Sequence, residues 1–205
     1  VMGSKNLKAI VARGTSKKLP LADAAGLNTL ARWGSGEIPN NADVLDLRDN
    51  GTEGVLEYQH AIGSLPTFNY DAGQFDANEA ISGQTMTATI LVDRDTCYAC
   101  AVRCKRVVEV TDGPYPVDPL YGGPEYETLA ALGSVCGVDD MKAICKGNEM
   151  CGAYSLDTIS MGDTIGFAME CYEKGIITKE DTGGIELKWG DAATKHQPYL
   201  TCWCT

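Results

Sequence analysis

Apolar residues recur every three or four positions in several stretches, which is the spacing of helices that bury one face. The first such stretch follows Asp23, a predicted N-cap, and places Leu27, Leu30 and Trp33 on one side. Further helices are predicted over residues 54–61 and, after Asp76, over residues 77–91. The Gly-rich segment 34–41 predicts a loop between the first two of these helices.

The second half of the chain has clearer helix boundaries. Three helices are predicted over residues 124–136, 139–154 and 157–174, starting at Pro124, at Asp139-Asp140 and at Asp157. Short apolar runs at residues 7–12 and 106–110 predict two strands. The predicted fold class is therefore mainly α, with α+β character at the N-terminal edge and a few short strands.

Three cysteines lie at C-x2-C-x3-C spacing between the third helix and the second strand: Cys97, Cys100 and Cys104. Thiolates this close in sequence can turn toward one point and bind a metal centre. The same stretch carries most of the local positive charge, at Arg94, Arg103, Lys105 and Arg106. Cations there would offset the negative charge of a thiolate-bound iron–sulfur cluster.

Four interpretations of the cysteine loop compete. One is a disulfide with a free third thiol, and another is a structural zinc site, although no second pair or local histidine completes four ligands. A third is a radical-SAM cluster, but its cysteines are spaced C-x3-C-x2-C, the reverse of the order here. The fourth is a [4Fe–4S] cluster with a distant fourth cysteine, which the spacing favours. The remaining cysteines of the helical half are expected to be small buried apolar side chains: Cys136, Cys145, Cys151 and Cys171.

Composition narrows the class of protein. The chain has 205 residues and a net charge of -11, which argues against nucleic-acid binding because phosphate recognition needs a basic face. No apolar run approaches the roughly 18 residues of a membrane span. Nine irregularly spaced cysteines suggest a reduced, cytoplasmic protein rather than a disulfide framework.

Four segments, taken in order, resemble the tungsten-dependent aldehyde ferredoxin oxidoreductase family. They are residues 1–10, the cysteine loop 97–104, the Gly-Pro-Glu-Tyr-Glu segment 123–127, and the Leu-Asp-Thr-Ile-Ser segment 156–160. The resemblance implies that residues 1–18 close an N-terminal β domain and that residues 19–205 belong to a helical middle domain. It also implies that the chain is an internal fragment, inactive by itself.

The resemblance further implies a chemistry. Such enzymes oxidise an aldehyde to a carboxylic acid at a tungsten, or molybdenum, bis-pyranopterin. They pass the electrons through a [4Fe–4S] cluster to ferredoxin or a similar acceptor. Two other functions remain possible from the residues: an iron–sulfur electron-transfer module without pterin, and a structural zinc-binding interaction domain.

Carried over residue by residue, the resemblance assigns Cys97, Cys100 and Cys104 as cluster ligands, with a fourth ligand outside this chain. It assigns Glu127 to proton transfer, although a first-turn glutamate also favours the helix dipole. It assigns Leu156 and Asp157 to pterin contact, although Asp157 also reads as a plain N-cap.

Two departures from the family pattern stand out. Gly152 replaces the aspartate that opens the pterin motif, and Ser155 replaces the motif's glycine. Lys146 and Glu149 stand where some members carry an E-x-x-H pair for a bridging metal, so no such metal is expected.

Overall fold

A computed structural model describes residues 2–15 and 20–192 of the chain. The chain divides into two compact units, Val1–Glu37 and Ile38–Thr205. The domain boundary expected between residues 18 and 19 lies outside the described residues and stays a prediction. Within those residues no helix combines the length and apolar composition needed to cross a membrane.

The described residues of the first unit include one α-helix, α1 (Ala24–Glu37). As predicted, Asp23 begins it, and the Asp23 side chain accepts a hydrogen bond from the Gly26 N–H at 2.8 Å. The helix continues into the predicted loop 34–41 as far as Glu37, because glycine lowers helix propensity without forbidding the conformation. The predicted strand 7–12 is wrong: these residues are exposed, and neither described strand pairs with them.

The second unit contains six α-helices and one hairpin within its described residues. The helices are α2 (Ala42–Asn50), α3 (Leu56–Ala61), α4 (Gly83–Thr89), α5 (Tyr126–Leu132), α6 (Met141–Tyr154) and α7 (Thr158–Glu173). The antiparallel hairpin joins β1 (Leu91–Asp95) to β2 (Lys105–Val108). The mainly helical fold class is thus confirmed.

The predicted continuous helix over 77–91 is wrong. A 3-10 turn occupies Asn78–Ile81, and Ser82 then takes an extended conformation and caps α4 by accepting a bond from the Thr85 N–H. The chain becomes a strand at Leu91, which pairs with Val108. Ile81, Met86 and Ile90 are all buried, as their spacing predicts. However, Ile81 lies in the 3-10 turn, Met86 in α4 and Ile90 just after α4.

The core is centred on α5, α6 and α7, whose predicted starting residues are largely confirmed. Asp140 caps α6 and Asp157 caps α7 through their side chains, whereas the predicted start of α5 at Pro124 is wrong, because the helix begins at Tyr126 after its N-cap, Glu125. Helices α5 and α7 meet at Gly162, where an added Cβ would collide with the Ala131 backbone. Only glycine therefore permits this approach. The buried side chains of the three helices include Leu129, Leu132, Ile144, Ile165 and Met169.

The four helical cysteines are buried, as expected. Burial raises the pKa of Cys136 and of Cys145 to about 12, so both thiols stay protonated at neutral pH. A protonated buried thiol is a poor nucleophile and a poor metal ligand. These side chains serve packing.

Candidate functional site

The three predicted cluster ligands lie on the hairpin connection between β1 and β2. Cys97 is exposed, Cys100 and Cys104 are half-buried, and all three are free thiols. The Cys100 N–H donates to the Cys97 carbonyl at 3.1 Å, and the Thr96 hydroxyl donates to the Cys100 carbonyl at 2.7 Å. Backbone turns therefore shape the loop without any disulfide.

Two residues of the loop, Ala99 and Arg103, have left-handed backbone conformations, with φ of 56° and 58°. Residues other than glycine are rare in this region because of steric crowding. The turns bring the thiols close enough to influence one another: the pKa of Cys104 is raised by burial first, then by Glu125, and also by Cys100 and Cys97.

The donor chemistry of the loop fits an iron–sulfur cluster, because three free thiols on one short segment are the ligands that iron–sulfur centres use. The ligand set is not closed. In the part of the chain that the structure describes, no group of three or more His, Cys, Asp or Glu is already arranged as a metal site. Three thiols would leave one iron of a four-iron cluster without a protein ligand.

Arg106, at the start of β2 beside the loop, is almost fully buried, with 2 % of its surface exposed. Its guanidinium donates to the carbonyls of Arg48 and Asp49 at the end of α2, both at 2.8 Å. It also donates to the Cys104 carbonyl at 3.0 Å and the Arg103 carbonyl at 3.3 Å. One side chain thus joins the end of a helix to the end of the cysteine loop.

Glu53 is the buried acid beside Arg106, and it is fully buried. Neither carboxyl oxygen has a well-aligned hydrogen-bond partner among the described residues. Burial raises the pKa of Glu53 to about 8; its own backbone N–H, Arg106 and the Thr52 hydroxyl lower it by less. The carboxyl is therefore largely protonated at neutral pH.

An open cleft of about 260 Å³ lies beside the cysteine loop, between β2 and residues 119–125. Glu125 lines it and accepts a hydrogen bond from the Thr52 hydroxyl at 2.5 Å. The Thr52 hydroxyl also accepts from the Tyr126 N–H at 3.1 Å, so the first turn of α5 is tied to the segment that carries Glu53. Sequence reasoning passed over Glu125 in favour of its neighbour in the same motif.

Glu127 is exposed in the first turn of α5 and does not line that cleft. Its carboxylate lies near two tyrosines: the pKa of Tyr126 is raised by burial and then by Glu127, and that of Tyr70 by burial, Asp163 and, more weakly, Glu127. The Tyr70 hydroxyl donates to Asp163 at 3.1 Å, within a run of three left-handed residues, 68–70. Glu127 therefore belongs to a polar surface group at the start of α5.

Asp157 and Leu156 lie at the start of α7, on a shallow surface depression shared with Ser160, Met161 and Thr164. Asp157 accepts a bond from the Ser160 N–H at 2.8 Å, so the N-cap interpretation holds. The Ser160 side chain and then its N–H lower the pKa of the Asp157 carboxyl. The start of α7 is joined to α5 by the Thr128 and Thr158 hydroxyls, which are 2.8 Å apart. Glu127 and Asp157 each precede one of these threonines, so the two predicted site residues begin adjoining helices.

The departures from the family pattern also have structural positions. Ser155 ends α6 with φ of 60°, a left-handed conformation that glycine adopts freely, so the turn survives the replacement. Gly152 lies against the Tyr121 ring, and a Cβ added at Gly152 would be 3.1 Å from Cδ1 of that ring. Lys146 and Glu149 form an ion pair of 2.5 Å, and Glu149 also accepts from the Asp118 N–H.

Comparison with known proteins adds evidence from outside the structure. A family model described as "Aldehyde ferredoxin oxidoreductase, domains 2 & 3" matches residues 29–197. Tungsten-containing aldehyde ferredoxin oxidoreductases of Thermococcus kodakarensis and Pyrococcus furiosus are 36% and 37% identical over 198 residues, 96% of this chain. A P. furiosus protein named "Aliphatic sulfonate oxidoreductase, WOR-like subunit" is 32% identical over 192 residues, 93% of this chain. The chain spans about a third of the length of these relatives (32%, 32% and 30%).

The protonation of Glu53 gives a testable pH dependence. The unfolded chain loses this proton near pH 4.5 and the folded chain near pH 8. The contribution of Glu53 to the free energy of unfolding is therefore fully present below pH 4.5, falls as pH rises toward 8, and levels off above that value. Glu53→Gln keeps the shape and removes the titration, so its stability relative to wild type should rise by up to about 1.4 kcal/mol per pH unit in that window.

Urea unfolding followed by circular dichroism at pH 5 and pH 8.5 measures this difference. Glu79→Gln, which changes an exposed glutamate, is the matched control and should differ from wild type by less than about 0.5 kcal/mol at both pH values. A Glu53→Gln difference that is the same at both pH values would mean that the folded protein holds Glu53 ionised.

Proposed function

Because this chain belongs to the aldehyde ferredoxin oxidoreductase family, we propose that the protein to which these residues belong oxidises aldehydes to carboxylic acids. The balanced reaction takes an aldehyde and water to a carboxylic acid, two protons and two electrons, and the electrons pass to ferredoxin or a similar acceptor. When bound, a tungsten (or molybdenum) bis-pyranopterin supplies the two-electron acceptor and a [4Fe–4S] cluster supplies the exit for single electrons.

The position of α5 carries this proposal. Its N-cap, Glu125, lies near the cysteine loop, and the charge of Glu125 raises the pKa of the Cys104 thiol. The first turn of α5 is joined to the first turn of α7 through Thr128 and Thr158. An electron path and a proton path that serve one reaction need to lie side by side, and this helix end adjoins both groups of candidate residues.

The residues divide the work by their chemistry. The thiolates of Cys97, Cys100 and Cys104 bind iron, and the adjacent Arg94 and Arg103 offset the negative charge of the thiolates. Glu127 accepts a proton released as aldehyde and water are converted to acid, since a carboxylate exposed beside two tyrosines can both take a proton and pass it on. Asp157 and Leu156 contact the pterin, with Asp157 accepting from its N–H groups.

Metal analysis of the whole protein tests the proposed class directly. We expect tungsten or molybdenum together with iron, and Cys97→Ser, Cys100→Ser and Cys104→Ser should each remove most of the iron. Cys171→Ser, in the buried end of α7, is the control that should leave the iron in place. Iron without tungsten or molybdenum would instead indicate an electron-transfer module, and zinc alone would indicate a structural domain.

Replacing Glu127 by glutamine tests the proton transfer. Turnover with aldehyde should fall about 100-fold or more, because a positioned proton acceptor contributes on this scale. Metal content should not change. Glu79→Gln, which alters an exposed glutamate elsewhere, should leave turnover intact. If Glu127→Gln turns over normally, the residue is limited to its favourable interaction with the α5 dipole.

Two replacements separate the capping role of Asp157 from pterin binding. Asparagine caps helices as well as aspartate does, so Asp157→Asn should keep the stability of α7, whereas Asp157→Ala should cost about 1 kcal/mol. If Asp157 also accepts from pterin N–H groups, both variants should lower the pterin content of the purified protein, measured by its fluorescent oxidation product. A normal pterin content in Asp157→Asn would leave only the cap.

A further inference from the structure

The contacts of Arg106 go beyond charge compensation for a nearby metal centre. Within the described part of the chain its four hydrogen bonds all go to backbone carbonyls, two at the end of α2 and two at the end of the cysteine loop. The two segments are more than fifty residues apart in sequence, as the Arg106–Asp49 separation of 57 shows. A guanidinium presents its N–H groups in a fixed planar fork, so it fixes both segments at once.

The space around Arg106 is shaped to hold it. A Cβ added at Gly123 would lie 2.8 Å from the Arg106 Cβ, and one added at Gly51 would lie 3.2 Å from its Nε. The register of the hairpin, which pairs Arg94 with Arg106, fixes the backbone as well. A lysine here would be held in the same place but could not reach four carbonyls.

Glu53 explains why the guanidinium is free to bind carbonyls. A Cβ at Gly51 would collide with Glu53 Oε2 while lying near Arg106 Nε, so the carboxyl and the guanidinium flank the same glycine. No ion pair joins them within the described residues, although an ionised carboxylate this near would attract the N–H groups of Arg106. A neutral carboxylic acid does not compete in this way.

We propose that Arg106 is the positioning residue of the cysteine loop, and that Glu53, which forms no ion pair with it in the described residues, leaves its guanidinium free to hold that loop against the end of α2. The consequence for cluster binding rests on the proposed function. We call the Arg106 guanidinium and its four carbonyl partners the clamp. It is a property of the protein alone and can be measured without metal.

Hydrogen exchange of the whole, metal-free protein tests the clamp. In Arg106→Lys, the backbone amides of residues 97–105 should exchange about tenfold faster than in wild type, because charge-assisted bonds to the loop are lost. The amides of α7 should keep their wild-type rates, which shows that the fold persists. Arg48→Lys is the matched control, because the Arg48 side chain is about half exposed and its one ion pair among the described residues is with Asp49.

The same measurement repeated at several pH values tests Glu53. Charged or titratable groups face it from three elements: Arg106 on β2, Glu125 at the start of α5, and the Cys145 thiol on α6. Protection of residues 97–105, corrected for intrinsic exchange, should fall between pH 7 and pH 9 in wild type and stay level in Glu53→Gln. A fall of equal size in both proteins would overturn the role of Glu53.

The loaded protein supplies a readout that a purely structural residue would not move. If Arg106 positions Cys104, the reduction potential and the electron paramagnetic resonance spectrum of the reduced cluster should differ between Arg106→Lys and wild type but not between Arg48→Lys and wild type. Unchanged loop exchange in Arg106→Lys, or unchanged cluster properties, would overturn the proposal. Absence of iron from wild type would overturn the proposed function instead and leave the exchange result as the test of the clamp.

Discussion

The buried guanidinium of Arg106 is the constraint on which the described fold around the cysteine loop depends. A charged group removed from water is costly unless polar partners replace its hydration, and here four backbone carbonyls do so. Two of those carbonyls lie at the end of α2 and two at the end of the cysteine loop. The same contacts therefore replace the hydration of the side chain and join the end of α2 to the loop.

A second consequence concerns the neighbouring acid. Because burial raises the pKa of Glu53, its carboxyl is accommodated as a neutral group in a space bounded by Gly51 and Gly83. Thr52, between Gly51 and Glu53, bonds to Glu125 and to the backbone of Tyr126. The first turn of α5 is thereby placed relative to the cysteine loop through a short series of direct contacts.

The sequence predicted what depends on neighbouring residues and failed where distant ones decide. Asp140 and Asp157 cap α6 and α7 as predicted, because N-capping is local. Residues 7–12 have the composition of a strand but no described partner, and Leu91 leaves the predicted helix because Val108 pairs with it. The cysteine spacing identified the loop, whereas nothing local predicts that Arg106 is buried, since arginine is almost always exposed.

The close contact at Gly162 also determines which positions of α5 and α7 tolerate substitution. Where two helices meet backbone to backbone, their separation does not depend on side-chain rotamers, so it is insensitive to substitutions on their outer faces. The distance between the first turns of α5 and α7 is thereby preserved while surface residues around them change. New specificities could evolve or be engineered on that surface without disturbing the spacing, as long as the glycine is retained.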